Sequence, residues 1–399
     1  MRIVQINSYI VGSTGNIMRQ ISDAAKANGH DVYMICPKSR VNCSHKKVKN
    51  LYLMGSILLR NIHILLARIT GYNGCYSKLS TFILIEKLKK INPDIIHLHN
   101  LHNSYINFQM LFNYIKTKKI KVIWTLHDCW PFTGHCAHFM GIQCLKWKNG
   151  CGECKQIHSY PFSYVDRSAQ MWKIKKESFT NVRDMTIVTP SVWLADLVKQ
   201  SFLSEYKIQV INNGIDLNIF KQYDSKFKSD YNIANKKMIL GVAIGWGYSK
   251  GLDVFIKLSE ILDDNYSIVL VGTNEKIDKL LPKKIISIHK TFNQEELAAI
   301  YSAADVFVNP TREDNYPTVN MEAISCGTPV ITFNTGGSAE ILNDETGIVV
   351  DVDDFSGLVN AIIKICNTSM FQDVNFAEYA KKFDRNKKYS EYIKLFENK

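Results

Sequence analysis

Short runs of β-branched and aliphatic residues alternate with longer stretches of helical periodicity along almost the whole chain. Ile3–Ile6, Asp31–Ile35, Ile95–Leu98, Lys121–Thr125 and Thr186–Thr189 read as strands. A second set begins at Met238–Val242 and continues through Ser267–Val271, Val306–Val308, Val330–Phe333 and Gly347–Val350. Asn16 to Asn28 has the spacing of an amphipathic helix, closed by Gly29 where left-handed backbone is favoured. Strands separated by helix-length stretches predict parallel sheets covered on both faces. The expected fold class is therefore α/β, with two Rossmann-like doubly wound domains. Asn213-Gly214 marks a turn between them. The division expected is residues 1–213, residues 214–375 and a helical tail over residues 376–399. Ligand sites of such units lie at the C-terminal ends of the strands, facing across a cleft.

The segment Asn309 to Val330 carries the densest candidate chemistry. A buried strand ends at Pro310, then come a polar turn, Asp314, a helical pattern and Glu322. If most of it is helical, the two carboxylates stand about 12 Å apart. That spacing is too long for the usual glycosidase pair and suits the two ends of one extended ligand. A helix start between them favours a diphosphate. The pattern Asp314-x7-Glu322 resembles the Glu-x7-Glu signature of the retaining glycosyltransferases of family four, which have the two-domain GT-B fold. Glu313 competes with Asp314 for the first position.

The resemblance extends over nearly the whole chain, and it implies roles residue by residue. Glu322 would hold the ribose of an NDP-sugar and Asp314 the sugar hydroxyls. Lys250, in Ser249-Lys250-Gly251, matches the lysine that balances the diphosphate. The family's neighbouring arginine is missing among Gly245, Trp246 and Gly247, and Arg312 is a substitute cation. Pro317 stands where many relatives have glycine, so amide contacts would come from Asn315, Tyr316 or Thr318. Gly336 and Gly337 resemble the family's next glycine loop, with Glu340 beyond it. Gly12 and Gly15 follow the first strand and open the first helix, where glycine lets backbone approach a ligand. His127, directly after a strand, matches the histidine that contacts the donor sugar. Asp128 would orient that imidazole or cap the loop. His97, His99 and His102 would line an acceptor groove or form a satisfied polar network. The tail over 376–399 would pack back on the first domain.

Four cysteines, Cys136, Cys144, Cys151 and Cys154, cluster in an insertion over residues 129–160. In a cytosolic chain their spacing favours a structural zinc, with reduced thiols and disulfides as alternatives. Cys129, His135 and His138 are further ligand candidates. No catalytic metal is expected.

Residues 56–70 place Ile57, Leu58, Leu59, Ile62, Leu65, Leu66 and Ile69 on one broad face, opposite Arg60, Asn61 and Arg68. Such a helix lies on an anionic membrane or is buried with a solvated stripe. The formal charge of +12 suits an anionic partner, but no nucleic-acid module is visible. No apolar run reaches the ~18 residues of a membrane span, and the start reads as a strand rather than a signal peptide. The expected place is the cytoplasm, optionally the inner face of the cell membrane.

The resemblance, closest to bacterial polysaccharide-assembly members (capsule, exopolysaccharide, O-antigen), implies transfer of a hexose-type unit from an NDP-sugar to a glycan acceptor, lipid-linked or free. A GT-B-shaped sugar-nucleotide epimerase and a catalytically silent partner subunit are the alternatives. A dehydrogenase lacks its glycine fingerprint here.

Overall fold

The computed structural model describes residues 1–368 and 370–398. The chain divides into two compact units: Met1–Asn212 with the segment from Tyr389 onward, and Asn213–Lys388.

The first unit holds a seven-stranded sheet built from β1 (Arg2–Ile6), β2 (Asp31–Pro37), β3 (Leu51–Met54), β4 (Ile95–Leu98), β5 (Lys121–Thr125), β6 (Met185–Thr189) and β7 (Lys207–Val210), ordered 3-2-1-4-5-6-7. The second holds β8 (Lys237–Val242), β9 (Tyr266–Val271), β10 (Ile285–Ile288), β11 (Val306–Asn309), β12 (Val330–Phe333) and β13 (Gly347–Val350), ordered 10-9-8-11-12-13. All pairings are parallel. Helices cover the sheet faces, which is why the central strands are near-continuous apolar runs. In each sheet the strand order reverses beside the first strand, β1 against β4 and β8 against β11. Those are the switch points where a doubly wound sheet opens a crevice.

The strands expected from sequence are all present. Three that were not expected, β3, β7 and β10, lie at sheet edges. Their residues are mostly half-exposed, so the apolar signal is diluted there. The first helix runs Gly12–Ala27, four residues earlier than its periodicity suggests, and Gly29 has φ +78° as expected.

The tail differs from expectation. Phe376, Ala380 and Phe383 belong to the core of the second unit. Asp384 leaves helical backbone, and its carboxylate accepts the Asn386 amide, starting a new helix over Arg385–Glu397. Only from Tyr389 onward does the chain pack on the first unit, where Tyr392, Ile393 and Phe396 meet Ile3, Ile95 and Ile123. The two chain passages of the second unit are clasped: Ile215 bridges Asp384, and Arg385 pairs with Asp216 at 2.7 Å. A Cβ on Gly214 would lie 2.4 Å from the Arg385 Cα, so only glycine fits that clasp.

Candidate functional site

In the second unit, the candidate residues sit on loops that leave the C-terminal ends of β8, β11 and β12. Lys250 lies in a short 3-10 turn, Tyr248–Lys250, after β8. Its ammonium donates to the Asp314 carboxylate at 2.7 Å and to the Glu313 carbonyl at 3.3 Å. The Thr311 hydroxyl stands 3.4 Å away. The carboxylate paired with Lys250 is thus that of Asp314, and Glu313 contributes its backbone. The pair is about one-quarter exposed on each side, so a ligand can reach both partners.

The loop after β12 supports this one. Thr335 donates its hydroxyl to the Arg312 carbonyl, and the Gly337 amide donates to the Asn315 carbonyl. Gly336 has φ +55°, and a Cβ there would fall 1.7 Å from the Asp314 carbonyl oxygen. Glycine is needed for the backbone of one loop to lie on the backbone of the other. Gly336→Ala is expected to displace Asp314, lowering kcat/KM at least tenfold and costing about 1–3 kcal/mol of stability. Gly29→Ala, also at positive φ but with open space around its Cβ, should cost stability without that loss of activity. Parallel melting curves and transfer kinetics check both.

The helix of this segment spans only Thr318–Ser325. Asp314 to Pro317 lie outside the helix, with bends at Asn315 and Tyr316, so only the Thr318–Glu322 part of the stretch has the helical rise assumed for the 12 Å spacing. Thr318 and Val319 then open the helix with amides that no intrahelical carbonyl reaches. Asn315 and Tyr316 are buried beneath the loop. Glu322 is largely enclosed one turn into the helix, and the Tyr301 hydroxyl donates to it at 3.2 Å. Burial pushes its carboxyl up to about 7, against the opposing pull of the Tyr301 and Thr318 hydroxyls.

Arg312 does not replace the missing arginine. Its guanidinium is buried, bidentate to Asp253 at 2.8 and 2.9 Å, paired with Asp353, and stacked 3.8 Å from the Tyr248 ring centroid. It fixes the Lys250 turn from behind, a positioning role the sequence did not reveal. Trp246, in the neighbourhood where the family's arginine was sought, is a core residue whose indole donates to Val271.

In the first unit, Gly12 and Gly15 follow β1. Gly12 has φ +78° with open space around it. A Cβ on Gly15 would come within 2.5 Å of the Ile10 carbonyl carbon, so the close approach it permits is to the chain's own backbone. Asn7 and Asn42, neither singled out from sequence, pin this loop: Asn42 accepts from the Ile10 amide and donates to Ser8 and Pro37. Asn7 accepts from the Ser8 and Asn100 amides.

His127 follows β5 and meets His99 in a near-parallel stack, with Nε2 3.1 Å from the His99 Nδ1. The His99 Nε2 lies 3.0 Å from the Gln5 amide oxygen, while the Gln5 amide nitrogen donates to Ser22. With the Gln5 amide so oriented, His99 carries its proton on Nε2 and His127 donates from Nε2. Burial holds His127 down at about 4, partly offset by Asp128, so the ring is neutral at pH 7. Gln5, a polar residue inside a buried strand, is the visible signal for this relay. Asp128 takes the loop-capping role, accepting the Trp130 amide at 2.9 Å, and pairs with His102 at 3.0 Å. His97 joins a buried network through Thr125 to Tyr392.

All four clustered cysteines line one pocket of about 230 Å³, together with His135 and Trp147. Cys136 and Cys154 hydrogen-bond one another, which pushes the Cys136 thiol up and the Cys154 thiol down to about 7. The Cys151 sulfur instead accepts the Gly134 amide at 3.1 Å. Among the described residues, no three His, Cys, Asp or Glu side chains form a group that could hold a metal ion. The Cys136–Cys154 pair and the Cys151 sulfur thus take different partners, which is not the geometry of a formed four-thiolate site.

Residues 14–219 match the family model "Glycosyltransferase Family 4", and residues 224–386 match "Glycosyl transferases group 1". The chain belongs to glycosyltransferase family 4. It is 23% identical, over the full length of both chains, to a putative colanic acid biosynthesis glycosyl transferase, WcaC, of Escherichia coli. An N,N'-diacetylbacillosaminyl-diphospho-undecaprenol alpha-1,3-N-acetylgalactosaminyltransferase of Campylobacter jejuni is 22% identical over 78% of this chain and 88% of its own. Anabaena HepE, solved in complex with UDP, superposes with TM-score 0.68 at 14% identity over 99% of each chain. Likeness at that identity concerns the fold, which is GT-B.

Proposed function

We propose that this glycosyltransferase moves a sugar from an NDP-sugar donor, with retention of configuration, to a lipid-linked glycan in cell-surface polysaccharide synthesis. The observation that carries the donor reading is the Lys250–Asp314 pair beside the Thr318 helix start at the β8/β11 switch point. An arriving diphosphate takes over the Lys250 ammonium and the helix amides, which frees the Asp314 carboxylate for sugar hydroxyls. Glu322 grips the ribose, and Asn315, Tyr316, Gly336 and Gly337 hold the loop that carries these groups. His127, in the first unit, carries the sugar contact that the family resemblance assigns to it. Neither Asp314, which is paired to Lys250, nor Glu322, which is largely enclosed, is set up as a nucleophile. The reading therefore assigns deprotonation of the acceptor to the leaving phosphate on the same face of the sugar, with no metal in the chemistry. The polysaccharide and lipid-linked parts draw support from the colanic acid and diphospho-undecaprenol names of the relatives.

Thermal stabilisation across UDP-, GDP-, ADP- and dTDP-sugars tests the donor. One of these should raise the melting temperature, and silence from all four overturns the donor reading. The anomeric coupling of the product, read by NMR, tests retention. A new NDP-sugar formed from donor alone would favour epimerisation instead.

A further inference from the structure

The helix over Ile57–Thr70 is mounted inside out. Of its fourteen residues only Ala67 is buried. Leu58, Leu59, Ile62, Leu65, Leu66 and Ile69 cover one continuous arc, and all are exposed, Leu58 at 69% and Leu65 at 53%. The side toward the protein carries Ala67 with the half-buried Arg60, His63 and Ile64, while Asn61 and Arg68 are exposed at its margins. Arg60 donates to the Asn103 carbonyl and lies over the Tyr9 ring, and Arg68 lies over the Phe162 ring. The buried-helix alternative drawn from the sequence is thereby excluded.

The apolar surface does not stop there. His63 hydrogen-bonds Ser77, the residue that starts the next helix, Lys78–Ile91, at 2.9 Å. That helix exposes Leu79, Phe82 and Ile83 on its first two turns. Exposed Tyr164 binds the Arg68 carbonyl through its amide, bringing an amphipathic ring to the edge. Ten of the 28 exposed large hydrophobic side chains among the described residues fall within 57–83. A concentration of that kind marks an interaction surface rather than scattered exposure.

The charge around it selects the partner. Residues 32–85 contain eight Lys and Arg and no Asp or Glu. Lys46, Lys47, Lys49 and Lys78 in this stretch are exposed. Glu86, the first carboxylate after it, is already paired with Lys89. No helix among the described residues is long and apolar enough to cross a membrane. We infer that the Ile57–Thr70 helix and the first turns of Lys78–Ile91 form a docking face for an anionic lipid bilayer. Leucine and isoleucine side chains enter the acyl boundary, the tyrosine sits at the interface, and the exposed Arg68 and Lys78 on the two helices meet the headgroups. This face stands independently of which sugar is transferred.

The test uses the full chain with vesicles of phosphatidylglycerol and phosphatidylcholine in equal parts, against phosphatidylcholine alone. Wild type should co-sediment with the anionic vesicles, and the binding should weaken with added salt. The triple variant Leu58→Gln, Leu65→Gln, Ile83→Gln should bind at least tenfold more weakly, while keeping its melting temperature and its donor-induced stabilisation. Equal binding to both vesicles, or binding unchanged in the variant, overturns the inference. So does a wild type that ignores vesicles but forms a dimer the variant cannot form, which would assign the face to a second copy of this chain.

Discussion

Glu322→Ala is expected to weaken donor binding ten- to a hundredfold, and Glu322→Gln to abolish the pH dependence of that binding. A hydrogen bond to a charged acceptor contributes about 1.5–3 kcal/mol, and each 1.4 kcal/mol is tenfold in affinity. In the free protein burial holds the Glu322 carboxyl at about 7, so near neutrality half the molecules carry it protonated. Ribose hydroxyls donate best to the ionised form. Donor affinity should therefore rise with pH through about 7 in wild type and stay flat in the glutamine variant. Stability runs the other way. The folded value lies above the ordinary 4.5, so the folded state holds the extra proton between about 4.5 and 7, and stability falls as pH rises through that window. At pH 8 an ionised, enclosed Glu322 costs on the order of 3 kcal/mol. Glu322→Gln should thus melt higher than wild type at pH 8 and show little difference at pH 4.5. Calorimetric titration of the donor and melting curves at the two pH values check both halves. A variant that binds the donor as wild type does removes Glu322 from the site.

The strands were legible where sheets are buried on both faces, because an interior parallel strand must be apolar almost throughout, as Ile95–Leu98 and Val330–Phe333 are. Edge strands such as Lys207–Val210 and Ile285–Ile288 need only half of that, and periodicity passes over them. Asp314 and Glu322 were marked by their spacing, and they and Lys250 by the resemblance to the family, at positions just beyond strand ends where doubly wound sheets place chemistry. The support behind them was not. Arg312 looks like a free cation in the sequence, yet two aspartates from distant segments, Asp253 and Asp353, enclose it. Gly336 reads as one glycine of a loop, and only the fold shows it lying against the Asp314 carbonyl. His99 and Gln5 are 94 residues apart, and although Gln5 stands out as a polar residue in a buried strand, nothing in the sequence ties it to His99 or His127. What one residue type in one place can do was readable; what another segment does to it was not. The direction in which an amphipathic helix faces belongs to the second kind. The Ile57–Thr70 pattern is the same whether its apolar arc points in or out, and the structure turns it outward.

Lys250→Ala should lower kcat/KM by a factor of about 10²–10³, the range found when one preorganised group stabilising developing charge is removed. The reason lies in what else surrounds a departing diphosphate in this chain. Arg312 is held by Asp253 and Asp353, and Trp246 is buried where a second cation was sought, so of these second-unit candidates Lys250 and the helix amides are the groups placed to balance the charge. The same substitution should hardly move the melting temperature. The ion pair with Asp314 is partly exposed on both sides, and such pairs contribute about 0–1 kcal/mol. A large kinetic loss with a small thermal one separates a catalytic charge from a structural one. Asp314→Asn offers the complementary result. Its carboxylate neutralises Lys250 before the donor arrives, so the variant leaves an unpaired ammonium that should bind free nucleoside diphosphate more tightly while turning over more slowly. In the double variant the two losses in kcat/KM should fall well short of multiplying, because each single change already breaks the shared pair. Additive losses would mean that Lys250 and Asp314 act on the ligand separately, and the exchange of Lys250 from carboxylate to diphosphate would have to be given up.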